Sequence, residues 1–426
     1  MKRVSCIVLT MLFLVTIASC QHPWDQSALA PKSPQYVWGK AYHILPCTTA
    51  DESGYFSLCE GLNGKLYIGT AQYNFNAYLV EFDPRTEQQR IVIDTRRLTG
   101  SRAAGYAAQA KIHTRNFVGP SGKIYVGSKQ GYRSIPGDSS EYPGGYVMTY
   151  DPKTDKAACL GMPYPKQGVI DVVADEKRGL VYVVTCEEQH WMLAQQQTGT
   201  YRELGPLLTP YATTLLDALG RASVITKDFQ LAQYDPATDK VRIRDLTLDG
   251  QKWVPKEGPP VPTWNLDADG RTAYLINMSD PALYAIDIGS ESESVPARNL
   301  GNRTEGKGPD SRNSLAIAPD GRVYTLVRVA NDTSLGGGFV HQLTRYTPKT
   351  GEHKILGVLA VKNPDYYDFG PLWNGKPRPL SDGFPRLSDG TMAPYHVHMS
   401  LIITRNGTMY ATFLNPFTLL RIPAIP

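Results

Sequence analysis

Seven residues of this chain share one offset, and several are of types that do chemistry. Tyr55, His113, Ile170, Tyr211, Val261, Arg312 and His398 each stand nine residues before a glycine: Gly64, Gly122, Gly179, Gly220, Gly270, Gly321 and Gly407. Two of only 8 histidines fall at that offset, beside two tyrosines and an arginine. Gathered in one place, two imidazoles, two phenols and a guanidinium would supply acid–base groups and a cation for an anionic ligand. The plainer alternative is a set of polar channel residues that only bind water.

Other candidates lie outside this set. His396 and His398 form His-x-His, whose side chains share one face of a strand and so can reach one divalent metal ion. Two ligands are not a site, and His341, near Gly336-Gly337-Gly338, is the candidate third. His190 follows Glu187-Glu188-Gln189 and reads as a ligand, a second base or a satisfied surface histidine. Lys129, Gln130, Tyr132 and Arg133 follow a tyrosine-bearing strand and are candidates for substrate binding near the same mouth. The long insert Asn363–Pro394 carries Tyr366, Tyr367, Phe369, Trp373 and Arg378. Such inserts often serve as binding loops or lids, and aromatic faces stack on sugars.

The elements that must position these residues repeat. A Gly-bearing turn leads into an apolar strand with Tyr. A second strand follows, closing on Tyr/Phe-Asp-Pro-x-Thr, and then a short last strand. GKLYIGT at Gly64–Thr70 with YLVEFDPRT at Tyr78–Thr86 is the first copy, and GKIYVGS at Gly122–Ser128 with YVMTYDPKT at Tyr146–Thr154 the second. GLVYVVT, GRASVIT, GRTAYLI, GRVYTLV and GTMYATF open the remaining five. Most copies are spaced by about 50–60 residues, the length of a four-stranded blade. The expectation is an all-β fold, a seven-bladed β-propeller spanning 34–426. Its seventh copy lacks a fourth strand, and the N-terminal segment Tyr36–Ile44 is expected to supply it and close the ring.

Composition agrees with this reading. Gly 38 and Pro 32 are spread along the 426 residues, which suits many short strands joined by turns. Net charge is +4, with two of those charges in the leader, and no basic run carries interleaved aromatics, so nucleic acid is not an expected partner. Residues 1–20 read as a signal peptide: Lys2 and Arg3, an apolar core too short to span a membrane, then Ile17-Ala18-Ser19-Cys20. That ending resembles the bacterial lipobox, which implies cleavage before Cys20 and lipidation of its thiol. An ordinary signal peptide with a chance cysteine is the alternative. With 21–33 as a tether, the expected protein is a monomer in the bacterial cell envelope, outside the cytoplasm, touching the membrane only through its lipid. Cys47, Cys59, Cys159 and Cys186 match no metal spacing; Cys47 and Cys59 are a candidate disulfide, with buried free thiols as the alternative.

Between Lys111 and Leu204, the segments KIHTRN, GKIYVGS, YPGGYVMTYDPKT, GVIDVVADEKRGLVYVVT and EEQHW resemble propeller polysaccharide lyases of the ulvan lyase type. YHVHM at Tyr395–Met399 separately resembles oligogalacturonate lyases, similar propellers that hold a metal with a His-x-His pair. The resemblance matches His113 to the first histidine of the ulvan-lyase pattern. Lys129 or Gln130 stands where the second is expected, Cys186 where a tyrosine is common, and Ala393 where a glutamine precedes the histidine pair. The implied activity is β-elimination on acidic, uronic-acid polysaccharide. His113 would take the C5 proton, Tyr55 or Tyr211 would protonate the leaving oxygen, and Arg312 or a metal on His396 and His398 would neutralise the carboxylate. No nucleophile is needed, and no Gly-x-Ser-x-Gly element is present. The alternative is a non-catalytic propeller that binds glycan or protein through the same face. A lactonase-type hydrolase is disfavoured, because few carboxylates fall at the shared offset.

Overall fold

The glycines that set the offset share one backbone conformation. All seven have positive φ, from 66° at Gly179 to 93° at Gly122, where a residue without Cβ is favoured. Each reverses the chain between the first two strands of a sheet. In the later hairpins Asp83, Asp151 and Asp235 accept the N–H groups of Arg85, Lys153 and Ala237 at 2.9, 2.9 and 2.8 Å. The following proline presets the turn.

The computed structural model describes residues 34–50, 55–255, 261–332, 338–363, 366, 372–373, 376–377, 384, 386–394 and 397–425. The leader, Cys20, the tether, His396, Tyr367, Phe369 and Arg378 lie outside the described residues. The described strands form the seven blades of a β-propeller. Blade 1 comprises Leu58–Glu60, Leu66–Gly69, Tyr78–Phe82 and Gln89–Asp94. Blade 2 has a broken inner strand, Lys111–Ile112 and Phe117–Val118, then Ile124–Lys129, Val147–Asp151 and Lys156–Gly161. Blade 3 runs Gly168–Asp175, Leu180–Cys186, Trp191–Gln195 and Tyr201–Glu203. Blade 4 runs Leu215–Leu216, Ala222–Ile225, Gln230–Asp235 and Lys240–Leu248. Blade 5 is Pro262–Leu266, Thr272–Asn277, Ala282–Asp287 and Val295–Asn302, and blade 6 is Leu315–Ile317, Val323–Ala330, Phe339–Thr347 and Glu352–Val361. Blade 7 takes His398–Ile403, Met409–Phe413 and Thr418–Ile422 from the C-terminal end, and Tyr36–His43 as its fourth strand.

That closure is doubly anchored. Lys40, Ala41, Tyr42 and His43 pair antiparallel with Arg421, Leu420, Leu419 and Thr418, as the missing strand required. Tyr36 to Gly39 then pair parallel with Val358 to Val361 of blade 6. Asn363 brackets Ala41, accepting its N–H at 2.9 Å and donating to its carbonyl at 3.0 Å.

Blades pack face to face through apolar residues, and two glycines make room for the contact. Gly69 lies against Ile112 of the next inner strand, and Gly127 against Val169. Arg115 braces the centre. From blade 2 it donates to the Thr214 carbonyl at 2.8 Å, beside blade 4, and to the Trp264 carbonyl and Asn265 Oδ1 of blade 5, both at 3.2 Å. It also lies 3.7 Å from Asp171 of blade 3. Blades 2 and 5 are not neighbours, so this side chain crosses the axis. Burial pushes the Asp171 carboxyl up to about 6, against the pull of Arg115.

The candidate disulfide between Cys47 and Cys59 does not form: all four described cysteines are free. Cys59 points into the apolar layer between blades 1 and 2 with Tyr67 and Ile112, whereas Cys47 is exposed on a short helical turn. His190 is a tie between segments. It stacks on Tyr164 at 4.2 Å and bonds Glu203 at 2.7 Å and Glu188 at 2.9 Å. Burial alone would lower its pKa, but the two carboxylates prevail and the net shift is upward.

Two outcomes follow. Gly127→Val would force a branched side chain into Val169, and overpacking of this kind costs about 1–3 kcal/mol. A urea midpoint equal to wild type would contradict that packing. Because the folded pKa of His190 is raised, its contribution is complete below the unfolded value of about 6.5 and lost as pH rises through the folded value. His190→Gln should therefore lower the melting temperature more at pH about 5.5 than at about 8.5, and the reverse order would refute the assignment.

Candidate functional site

Two lysines stand opposite each other in blade 2, Lys111 reaching toward blade 1 and Lys129 toward blade 3. Lys111 and Lys129 are register partners on adjacent antiparallel strands, and both side chains are buried. Like charges directly opposite are destabilising, and each ammonium has found its own counterpart. The Lys111 Nζ lies over three tyrosine rings, 3.9 Å from the centre of Tyr132, 4.5 Å from Tyr55 and 4.7 Å from Tyr73. These are cation–π distances. The Lys129 Nζ donates to Glu187 Oε1 at 2.7 Å and contacts Cys186 Sγ at 2.8 Å. Gln130 Nε2 donates to the same Glu187 oxygen at 3.1 Å.

The charge states follow from these contacts. Burial works against the Lys129 ammonium, but Cys186 and Glu187 prevail and its pKa is raised. Burial likewise opposes the Glu187 carboxylate, and Lys129 holds it below the usual range. For Cys186 burial dominates, so the thiol is pushed up and stays protonated in spite of Lys129.

His113 stands two residues beyond Lys111 and is 2% exposed. Its ring stacks on Tyr55 at 4.4 Å and on Tyr211 at 5.8 Å, and meets Phe56 edge-on at 5.2 Å. Burial first, then Lys129 and Lys111, hold its pKa well below the ordinary value, so the imidazole is neutral. Its Nδ1 is buried without a hydrogen-bond partner. Tyr55 donates or accepts a 2.7 Å hydrogen bond with the Tyr132 hydroxyl. Tyr55 and Tyr211 have φ of 67° and 58°, a left-handed backbone that costs on the order of 1 kcal/mol or more and recurs at ligand sites. Phe56 fills the axis between them: besides His113 it meets Tyr211 at 5.6 Å, and its carbonyl accepts from Asn313 at 3.4 Å and Ser400 at 3.5 Å.

The offset thus brings Tyr55, His113 and Tyr211 together around Phe56, and Arg312 lines a narrow cleft with Phe56 and Tyr211. His398 is placed differently. Arg312 and His398 do meet, but through the Arg312 N–H, which donates to His398 Nε2 at 3.2 Å; the guanidinium turns to Asp310 at 3.3 Å. The His398 ring faces His341, 5.2 Å away, and lies between blades 6 and 7 rather than beside His113. The cause is local: a bulge between His398 and Ser400 breaks the regular alternation, and Val397 and Met399 take the inward face with Phe56. Of the three candidate metal ligands, His341 and His398 are described and His396 is not. His398 Nε2 is committed to the Arg312 amide, and His341 Nδ1 bonds the Pro394 carbonyl at 3.1 Å. Burial, then His341, Arg312, Arg328 and Arg303, hold the His398 pKa well below normal. Among the described residues no group of three or more His, Cys, Asp and Glu side chains is arranged to hold a metal.

The remaining candidates divide. Lys129 and Tyr132 belong to the site. Arg133 lies at its edge, over the Tyr106 ring at 3.9 Å and bonded to the Asp138 carbonyl at 3.0 Å. Trp373 sits in a two-stranded ribbon, Leu372–Trp373 with Lys376–Pro377. Tyr366, from the same insert, stacks on His43 at 4.1 Å and so fastens the insert to the closing strand. Lys111, Tyr73, Phe56 and Glu187 were not singled out by the shared offset. Lys111 was nonetheless within reach, since it shares a strand face with His113.

No family model and no curated protein matches the chain. Solved structures do. It is similar to a streptogramin B lyase structure (TM-score 0.55, 9% identity, 90% of this chain and 97% of that one). It is also similar to the Myceliophteria thermophila Cps50 (Swd1) β-propeller domain (0.52, 11%, 90% and 99%) and to the RRP9 WD40 repeats (0.53, 8%, 92% and 100%). At these identities the likeness establishes the fold alone: the chain is a β-propeller.

Proposed function

We propose that the mouth between Tyr55, Lys111, His113, Lys129 and Tyr132 binds a carboxylated sugar of an acidic polysaccharide. The protein would display it from the bacterial cell envelope, anchored by lipid on Cys20. One observation carries this reading. Lys129 and Gln130 already hold a carboxylate, that of Glu187, whose side chain is 61% exposed. A uronate presents the same group and can exchange with it. The tyrosine rings over Lys111 offer apolar faces for the sugar ring beside that seat.

A second reading, β-elimination at this seat, is favoured by His113. It is neutral, has an unpartnered Nδ1 and touches two tyrosines. A base that takes the C5 proton and a phenol that protonates the leaving oxygen are the groups the reaction needs. Here the lysines, rather than the Asp310-bound Arg312, would neutralise the carboxylate. A lyase stands among the similar propellers, which says only that this fold can carry such chemistry.

Calorimetric titration with polygalacturonate, alginate and a glucuronate-containing polysaccharide tests the binding. At least one should bind with salt-sensitive affinity. Lys129→Met should weaken it about tenfold or more, and Glu187→Gln, which removes the competing carboxylate, should strengthen it. Affinity indifferent to both changes would place the seat elsewhere. In the same samples, ultraviolet absorbance of an unsaturated product that disappears in His113→Gln would establish elimination. Binding without product would leave a non-catalytic binder.

Anchoring is read separately. Cys20→Ala should move the protein from the membrane fraction to the soluble one, and a leader-cleaved variant that stays with the membrane would refute lipidation.

A further inference from the structure

A second hollow adjoins the cleft beside Phe56, Tyr211 and Arg312. Val261 and Met278, which line it, also line a larger cavity of about 480 Å³ on blade 5. That volume lies within the range of small-ligand pockets, roughly 300–1,000 Å³. The walls differ from those of the mouth. Trp253 and Tyr284 supply aromatic rings 4.4 Å apart, and Asn277, Asn299, Asn302 and Asp280 supply amides and a carboxylate. Among the described residues no lysine or arginine lines it.

Two of these polar groups are informative. Asn277 is 9% exposed, and its Oδ1 is buried without a hydrogen-bond partner. A buried, unpaired carbonyl oxygen is costly to leave unmade and is satisfied by a donor from a ligand. Asp280 accepts from the Tyr284 hydroxyl at 2.8 Å and from the Ala282 N–H at 2.8 Å, which fixes a negative charge in the wall. The carboxylate favours hydroxyl donors, with the buried Arg303 guanidinium, which donates to the Asp280 carbonyl at 2.6 Å, behind it. Trp253 is braced edge-on by Phe229 at 4.8 Å.

We propose that this cavity is a neutral-sugar subsite, seating an uncharged sugar residue through hydroxyl donors to Asn277 and Asp280 and ring contact with Trp253 and Tyr284. Its link to the polymer rests on the reading of the mouth given above. If both hold, the ligand carries a carboxylated residue at the mouth and an uncharged one on blade 5, and a polymer of uronate alone fills only the first.

The test uses the full chain and simple probes: the methyl glycosides of glucose, galactose and mannose, with sodium glucuronate as the charged counterpart. At least one glycoside should give a saturable change in tryptophan fluorescence that vanishes in Trp253→Phe. Asn277→Leu should weaken that response about tenfold, the loss of one hydrogen bond to a buried oxygen. Lys129→Met should leave it unchanged, and glucuronate should not elicit it. The proposal is overturned if no glycoside saturates, if Asn277→Leu responds as wild type with an unaltered melting temperature, or if glucuronate binds there as well as the neutral sugars. Failure of the mouth reading would register in the polymer titrations of Lys129→Met and leave the glycoside response intact.

Discussion

A sheet with an unpaired edge is a liability, and a ring of blades removes it only where its two ends meet. Here that meeting is made by eight residues, Tyr36–His43, which complete blade 7 and also pair with blade 6. No blade is placed independently of this junction. The junction sets the circumference, the circumference sets where the inner strands begin, and those beginnings bring Tyr55, His113 and Tyr211 onto one phenylalanine. Arg115 braces the same arrangement from within, because a single guanidinium reaches blades that never touch.

Within that frame the mouth resolves an electrostatic conflict. Two buried ammonium groups stand opposite each other, and the protein separates their compensation. One lies over three tyrosine rings. The other is matched by a carboxylate that keeps more than half of its surface in water. Burial, and then both lysines, keep His113 uncharged, so the site combines two cations with a neutral imidazole.

Much of this was legible in the residues. The glycine register predicted seven blades, and all seven glycines adopt the conformation that makes them punctuation. The absence of a seventh outer strand predicted the closing one. The same register put Tyr55, His113 and Tyr211 at one offset, and the three do come together. It failed for the direction of the His398 ring, because one bulge changes which face a residue takes and leaves no mark on spacing. The Cys47–Cys59 bridge failed for a related reason, since spacing says nothing about which side of a sheet a thiol points to. Glu187 gained its place only through a turn that brings it back to Lys129, a contact between residues 58 apart.

The brace and the plug have one more consequence. Arg115 and Phe56 occupy the axis of the propeller, so the central channel is an axle and not a bore. Nothing can be threaded through it. A linear ligand of the proposed kind would therefore lie across the rim and not along the axis.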